Sequence, residues 1–120
     1  MKIAVTSQST SIDSLVDPRF GRAACILIVD SDTMEFEILD NQNNVNALKG
    51  AGIQAAVGIN KAGADILLTG FCGPNAINTL NAANIKVVTD VSGRVKDVVG
   101  KFNQGDYEYT TESNREGHGI

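Results

Sequence analysis

The sequence predicts an α/β domain in which a mixed five-stranded sheet is flanked by three helices. Five short segments have the composition of strands, and in the second half of the chain they alternate with segments that have helical character. In the first half, only a short polar turn joins the second and third segments, so those two strands should pair antiparallel. The strand–helix–strand units that follow require parallel pairing through right-handed crossovers.

Four of the five strands are expected to be buried on both faces, because their sequences are almost continuously apolar. The third strand alternates, with Met34, Phe36 and Ile38 on one side and acidic residues on the other. Such alternation is typical of a half-exposed strand at a sheet edge. In chain order the predicted strands are Lys2–Thr6, Ala23–Val29, Met34–Leu39, Asp65–Thr69 and a run that ends at Val88.

Three segments are predicted to be helices. The first, Lys49–Lys61, is rich in small residues that allow close packing on a sheet, and Gly63 marks its end. The second begins at Pro74, since proline is favoured in the first turn of a helix. The third, Ser92–Phe102, has Ser92 as its expected N-cap. The residues expected to face the sheet are Ala76, Ile77, Leu80 and Ala83 in the second helix, and Val95, Val98, Val99 and Phe102 in the third.

Composition limits the classes of protein that fit this chain. The formal net charge of −4 and an aromatic content of 5% argue against a nucleic-acid binder, which usually has a basic face and stacking rings. No apolar run approaches the length of a membrane span or of the core of a signal peptide. We therefore expect a cytoplasmic protein with neither a nucleic acid nor a membrane as partner, and with both cysteines reduced.

The chain is expected to form one domain over residues 1–102, followed by a flexible polar tail over residues 103–120. The tail contains glycine and lacks the periodicity of a helix or a strand. Its His118 is the only histidine of the chain, and we expect no defined role for it.

The predicted topology brings four features to one edge of the sheet. If the second strand is antiparallel to the first and the fourth is parallel to it, the loop Gln8–Arg22 meets Cys25 at the start of the second strand. The turns Gly70–Asn75 and Thr89–Asp90 end at the same edge. This edge is the candidate site, because α/β sheets generally bind ligands at the carboxyl ends of their strands.

The candidate site suits a compact anion. Gly70 and Gly73 bracket a turn in which the backbone can approach a ligand closely. The helix that opens at Pro74 presents unpaired N–H groups and the positive end of its dipole. Arg19 and Arg22 add positive charge at this edge of a chain that is acidic overall.

Simpler interpretations of these residues remain open. Cys25 lies in an apolar run, where a cysteine is most often a small core residue. Cys72 lies beside a helix N-terminus, which lowers the pKa of a thiol and favours the thiolate, so it either contacts a ligand or only fills the turn. The two arginines could instead pair with Asp13 or Asp17, and the glycine-containing turn could be no more than a tight connection.

Three stretches of the sequence resemble the dinitrogenase iron–molybdenum cofactor biosynthesis family. They are DPRFGR at 17–22, GAGIQAA at 50–56 and TGFCGPNAINTLNAANIKV at 69–87, and the likeness extends over residues 1–102. The resemblance implies a ribonuclease-H-like fold and the non-covalent binding of metal–sulfur clusters or cofactor precursors. Small single-domain members of this family include a carrier of a molybdenum–copper sulfide cluster, so the implied cargo is such a cluster or a precursor of the iron–molybdenum cofactor.

The resemblance also assigns candidate site residues. Many relatives have a histidine just before the GAGIQ segment, whereas this chain has Lys49, so an imidazole ligand is missing there and an electrostatic site is favoured. Cys72 stands where relatives commonly have other residues, and it is the candidate metal ligand of this chain. The residues that match the loop motif are Arg19, Phe20, Gly21 and Arg22, and those that match the turn are Gly70, Gly73, Pro74 and Asn75.

The function predicted from these observations is non-catalytic binding, storage or delivery of an anionic metal–sulfur cluster, with possible protein partners in delivery. An enzyme fits less well, since a two-metal nuclease needs converging carboxylates and the first strand has none. The phosphate-binding glycine motifs are absent as well. The alternative is a protein–protein interaction module of the same fold without a bound cluster.

Overall fold

The computed structural model of the protein describes residues 1–41 and 50–114. Within these ranges it contains five strands and three helices. None of the helices in these ranges is long and apolar enough to cross a membrane. In chain order the elements are β1 (Lys2–Ser7), β2 (Cys25–Asp30), β3 (Phe36–Asp40), α1 (Ala51–Lys61), β4 (Ile66–Leu68), α2 (Pro74–Ala82), β5 (Lys86–Val88) and α3 (Val95–Asn103).

The strands of the described ranges form one mixed sheet in the order β3-β2-β1-β4-β5. β1 pairs antiparallel with β2 and parallel with β4, so it lies at the centre. β4 pairs parallel with β5, and β2 pairs antiparallel with β3. The predicted mixed five-stranded sheet with three helices is confirmed, whereas the ribonuclease-H-like classification stays a prediction.

The alternation of side chains along β1 divides the core into two layers. Ala4 faces the layer built by α1 and α2, whereas Ile3 and Val5 face the layer built by α3. All three residues are fully buried, so helices cover both faces of the central strand. The predicted helix stripes are confirmed: Ala76, Ile77 and Leu80 are buried in the first layer and Val95, Val98 and Val99 in the second, with Ala83 and Phe102 partly buried beside them.

Strand β3 lies at the edge of the sheet, as its alternating sequence predicts. Its Phe36 and Ile38 side chains are 39% and 50% exposed. Leu39, on the opposite face, packs partly buried against the layer of α1 and α2. The edge position is therefore confirmed, but the strand is more exposed than predicted, since Leu39 alone of its five residues is partly buried, and it begins at Phe36 and not at Met34.

Helix α1 begins at Ala51, after an N-cap glycine, Gly50, with a φ of 78°. The predicted start at Lys49 lies outside the described residues. The helix ends at Lys61, and Gly63 follows with a φ of 84°, the left-handed conformation that glycine adopts most easily after a helix.

The start of helix α3 differs from the prediction. Its N-cap is Arg94 and no side chain caps it, so the prediction of Ser92 as N-cap is wrong. The amide of Val95 instead donates to the carbonyl of Ser14, at 2.9 Å. A backbone carbonyl from the loop after β1 thus satisfies a first-turn N–H group that a side-chain cap would otherwise satisfy.

The segment Thr110–Asn114, called here the C-terminal strap, lies beside β5. Thr110 forms an antiparallel bridge with Val87, to whose carbonyl its amide donates at 2.8 Å. The side chain of Asn81 in α2 donates to the carbonyl of Thr111 at 3.1 Å. The domain boundary at residue 102 and the flexibility of the tail stay predictions, and residues 115–120, which include His118, lie outside the described residues.

Candidate functional site

The ends of several strands meet at one edge of the sheet, as the topology predicts. Ser7 at the end of β1 pairs with Cys25 at the start of β2. The Oγ1 atoms of Thr6 and Thr69 are 2.9 Å apart, and the amide of Asp90 donates to the carbonyl of Gly70 at 2.8 Å. The loop after β1 and the turns after β4 and β5 therefore lie together.

Two segments at this edge are joined through their backbones: the arginine loop, Asp17–Arg22, and the glycine turn, Gly70–Asn75. The amide of Phe71 donates to the carbonyl of Pro18 at 2.6 Å, and the carbonyl of Phe71 accepts from the amide of Phe20 at 3.1 Å. A Cβ atom on Gly70 would lie 2.7 Å from the carbonyl oxygen of Pro18, so only glycine fits there without a shift of the backbone.

The arginine loop also packs against the start of α1. Gly21 has a φ of 76°, and a Cβ atom on it would lie 2.7 Å from the amide nitrogen of Gly52. The buried side chain of Asn41 donates to the carbonyls of Gly21 and Ala23, both at 2.9 Å. These contacts hold the loop against the N-terminus of the helix.

The N-termini of α1 and α2 lie side by side at the same edge. A Cβ atom on Gly52 in α1 would lie 2.8 Å from the Cβ atom of Ala76 in α2, so the first turns of the two helices touch. Neither helix has a side-chain cap, and neither has an acidic residue in its first turn. Pro74 is the first residue of α2, as predicted. The leading N–H groups and the positive dipole ends of both helices therefore add at one place.

Arg19 is held in place by a buried carboxylate, that of Asp17. Asp17 Oδ1 accepts from the Arg19 amide at 3.0 Å and from Arg19 Nε at 3.3 Å, while Oδ2 accepts from the amide of Ala24 at 3.2 Å. The Arg19 side chain is nevertheless 58% exposed. The sequence left open whether an arginine of this loop pairs with Asp17. Arg19 does so, and its guanidinium also faces solvent. Arg22 is half-buried.

Of the remaining predicted site residues, Phe20 is buried in the core layer of α1 and α2, and Asn75 is exposed at the start of α2. The structure thus brings the arginine loop and the glycine turn together. Sequence reasoning missed the organising role of Asp17, although an Asp-Pro pair is a known turn signal. It also missed Asn41 and Asn114, whose partners are distant in the sequence and leave no local pattern.

Cys25 is a buried core residue, as the simpler interpretation held. Its Sγ atom donates to the carbonyl of Ser9 at 2.8 Å. Burial raises the pKa of its thiol above the ordinary value.

The prediction of a thiolate at Cys72 is wrong. Its side chain is 1% exposed and lies in the core layer of α1 and α2 together with Phe20 and Ala76, not at the mouth of the site. Burial raises the pKa of this thiol to about 12, so the neutral form is favoured. Its role as a metal ligand stays a prediction.

We expect the Cys72 thiol to make stability depend on pH in alkaline solution. The folded state keeps the thiol proton up to a pKa of about 12, whereas the unfolded chain loses it near the ordinary value of 9.0. The unfolded state therefore binds fewer protons between these values, and the free energy of unfolding falls by up to about 1.4 kcal/mol per pH unit.

Urea titrations between about pH 8 and pH 10.5 would measure this dependence. Comparing the native chain with Cys72→Ala cancels the titration of lysines and tyrosines, which the two proteins share. Equal pH slopes in the two proteins would contradict a buried neutral thiol at Cys72.

Within residues 1–41 and 50–114, no group of three or more His, Cys, Asp or Glu side chains could hold a metal ion. Lys49, predicted to add charge at the site, lies outside these ranges. The polar groups that the described residues bring together here are mainly backbone N–H groups and the Arg19 guanidinium, which are donors suited to an anion.

Comparison with known proteins identifies relatives of the whole domain. The sequence profile of the family described as dinitrogenase iron-molybdenum cofactor matches residues 1–105. The apo form of the orange protein from Desulfovibrio gigas is 44% identical, with 95% of this chain and 96% of that chain covered and a TM-score of 0.92. A putative NifB protein from Thermotoga is 29% identical, with 97% of this chain and 98% of that chain covered and a TM-score of 0.81.

A putative dinitrogenase from Methanocaldococcus jannaschii has the same fold, with a TM-score of 0.66 over 92% of this chain and 94% of that chain, but only 15% identity. A comparison with curated proteins gives no match. The family profile spans most of the chain, and the orange protein is similar to it in sequence and in structure. The chain therefore belongs to the dinitrogenase iron-molybdenum cofactor family.

Proposed function

We propose that the protein binds an anionic metal–sulfur cluster non-covalently and stores or delivers it without catalysing a reaction. Its family supports a role in the carriage or biosynthesis of a metal cofactor. The candidate cargoes are a molybdenum–copper sulfide cluster and a precursor of the iron–molybdenum cofactor. The observation that carries the proposal is the meeting of two helix N-termini, both without side-chain caps, beside the arginine loop.

The donors at this edge match the chemistry of a sulfide anion. Each helix N-terminus is equivalent to about half a positive charge. The exposed guanidinium of Arg19 adds positive charge, which the paired carboxylate of Asp17 offsets in part. Arg22 supplies a second cation in the same loop, while Phe20 anchors the loop in the core. Gly21 lets the loop approach α1, where a side chain would collide with the helix backbone.

The glycine turn would supply the other wall of the site. Gly73 keeps the backbone accessible, since nothing lies within 4 Å of where its Cβ atom would be, whereas the buried Gly70 lets the turn pack against Pro18. Pro74 starts α2, and Asn75 has an exposed side chain next to the leading amides. Direct ligation of metal by Cys72 would require its side chain to leave the core, so the proposal depends on charge and hydrogen bonds.

The expected location of the protein is cytoplasmic, and we expect it to deliver the cluster to a second protein.

The proposal is tested by titrating the metal-free protein with tetrathiomolybdate and copper(I) while following the visible spectrum. We expect charge-transfer bands, and after gel filtration we expect molybdenum and copper to elute with the protein at a fixed ratio. If both metals separate from the protein, the molybdenum–copper cargo is excluded, and iron–sulfur precursors would be tested by the same route.

We expect the double variant Arg19→Gln, Arg22→Gln to bind tetrathiomolybdate at least about tenfold more weakly, since two charge-assisted contacts are lost. The affinity of the variant should also depend less on salt concentration. Arg94→Gln is the matched control, because Arg94 is an exposed arginine at the start of α3, on the other face of the sheet. An equal loss in the control would indicate general charge attraction and no defined site.

The alternative function is a protein–protein interaction module without a bound cluster. The exposed Phe36 and Ile38 on the edge strand β3 favour it, since an exposed sheet edge can pair with another strand. In that case the double variant Arg19→Ala, Arg22→Ala would leave partner binding intact, because Phe36 pairs with Val29, at the end of β2 that lies away from the arginine loop.

A further inference from the structure

Asn114, the last residue of the C-terminal strap, joins the two turns that border the candidate site. Its Oδ1 accepts from the amide of Cys72 at 2.8 Å. Its Nδ2 donates to the carbonyl of Gly70 at 2.9 Å and to Asp90 Oδ1 at 3.2 Å. Its own amide donates to the carbonyl of Cys72 at 3.2 Å. One residue therefore connects the glycine turn to the turn after β5.

These bonds hold the backbone of Cys72 on both sides. The amide and the carbonyl of this residue are both bound to Asn114, while its side chain is 1% exposed in the core. Gly70 and Gly73 flank the segment, and glycine permits backbone rotations that other residues resist. The Cys72–Gly73 part of the glycine turn thus has the conformational freedom to move once the bonds from Asn114 are broken, whereas Phe71 stays hydrogen-bonded to Pro18 and Phe20 of the arginine loop.

The strap itself is attached by polar contacts and not by apolar burial. Each of its five residues is exposed or half-buried, and the described contacts of its upstream part are the bonds from Thr110 to Val87 and from Asn81 to Thr111. Segments with few buried apolar contacts and solvent-exposed hydrogen bonds open at low free-energy cost. The family profile ends at residue 105, so the strap lies outside the region that it matches.

We propose that the C-terminal strap is a releasable closure of the glycine turn, with Asn114 as its positioning residue. When the strap is attached, Asn114 keeps the Cys72 thiol in the core and sets the backbone that leads into α2. When it is released, the turn opens and the thiol becomes accessible to solvent. This device is separate from the proposed function, because it operates in the protein without any cluster.

The test is alkylation of the folded, metal-free protein with iodoacetamide at about pH 8, followed by mass spectrometry of the peptides that contain each cysteine. We expect Asn114→Ala to raise the labelling rate of Cys72 at least about tenfold. Three side-chain hydrogen bonds are lost, and each neutral one corresponds to about a fivefold change in an equilibrium constant. The labelling rate of Cys25, a buried thiol without a contact to the strap, should change less than about twofold.

Asn103→Ala is the matched control, because Asn103 also donates to a carbonyl, that of Ser31 at 3.0 Å, but does so away from the strap. It should leave both labelling rates unchanged. A chain that ends at Tyr109 provides a second variant and should label Cys72 at least as fast as Asn114→Ala. Equal acceleration at both cysteines would indicate global unfolding and overturn the proposal, as would an unchanged rate at Cys72. Neither result depends on whether tetrathiomolybdate binds.

Discussion

Gly21→Ala is expected to destabilise the protein by about 2 to 5 kcal/mol, because the new methyl group meets two separate penalties. The first is backbone strain, since Gly21 has a φ of 76° and alanine disfavours that conformation. The second is a collision, since the added Cβ atom would lie 2.7 Å from the amide nitrogen and 2.8 Å from the Cα atom of Gly52. Backbone atoms cannot move aside as the end of a flexible side chain can.

Gly105→Ala separates the two penalties. Gly105 has a φ of 80°, but a Cβ atom there would meet nothing within 4 Å, so the variant carries the strain alone. Its expected cost is about 1 kcal/mol. Urea unfolding of both variants gives the difference, and an equal loss of stability in the two would contradict the close contact between the arginine loop and α1.

Gly21→Ala should also weaken cluster binding in the protein that remains folded. Relief of the collision requires the arginine loop to move away from α1, which separates Arg19 from the helix N-terminus. We expect the affinity for tetrathiomolybdate to fall, whereas Gly105→Ala should bind as the native chain does, because Gly105 lies after α3. Unchanged binding by a destabilised Gly21→Ala would mean that the cluster does not contact this loop.

Asp17→Asn is expected to cost about 2 to 4 kcal/mol, because it converts one of two carboxylate acceptors into a donor. Oδ1 faces the amide and Nε of Arg19, and Oδ2 faces the amide of Ala24 and Nη2 of Arg19, the latter at 3.4 Å. Whichever position the new amide nitrogen takes, it opposes an N–H group. The loss is large because the Asp17 side chain is only 4% exposed.

The effect of Asp17→Asn on cluster binding combines two opposing changes. Removal of a negative charge near the site favours an anion, but loss of the hydrogen bonds leaves Arg19 without its fixed position. We expect the second change to dominate, since the carboxylate holds both the backbone and the guanidinium of Arg19. Binding of tetrathiomolybdate should therefore weaken, and the arginine variants should have little further effect in this background.

Asp13→Asn is the control for charge. Asp13 lies in the loop after β1, upstream of the arginine loop, and forms an exposed salt bridge with Lys96 at 2.8 Å. The hydrogen bond from Lys96 holds the pKa of the Asp13 carboxyl below its ordinary value. Exposed ion pairs contribute little to stability, so we expect no measurable change in unfolding or in binding. If Asp17→Asn behaves like Asp13→Asn, the buried carboxylate does not organise the loop.

Much of the fold could be predicted because its causes are local. The apolar runs determine the strands, and the short polar turn before β3 determines its antiparallel pairing with β2. Pro74 marks the first residue of α2, because its fixed φ and missing N–H suit that position alone in a helix. The meeting of the arginine loop and the glycine turn then follows from strand direction, which is a property of topology and not of side-chain packing.

The sequence by itself thus determined the sheet, the helices that cover it and the edge at which the candidate residues gather. Tertiary packing alone decided that the Cys72 thiol points into the core, that a carbonyl of Ser14 takes the place of an N-cap side chain, and that Asn114 closes the glycine turn. Each of these depends on groups brought together from distant parts of the chain. Burial and long-range hydrogen bonds have no periodicity in the sequence, so local patterns could not reveal them.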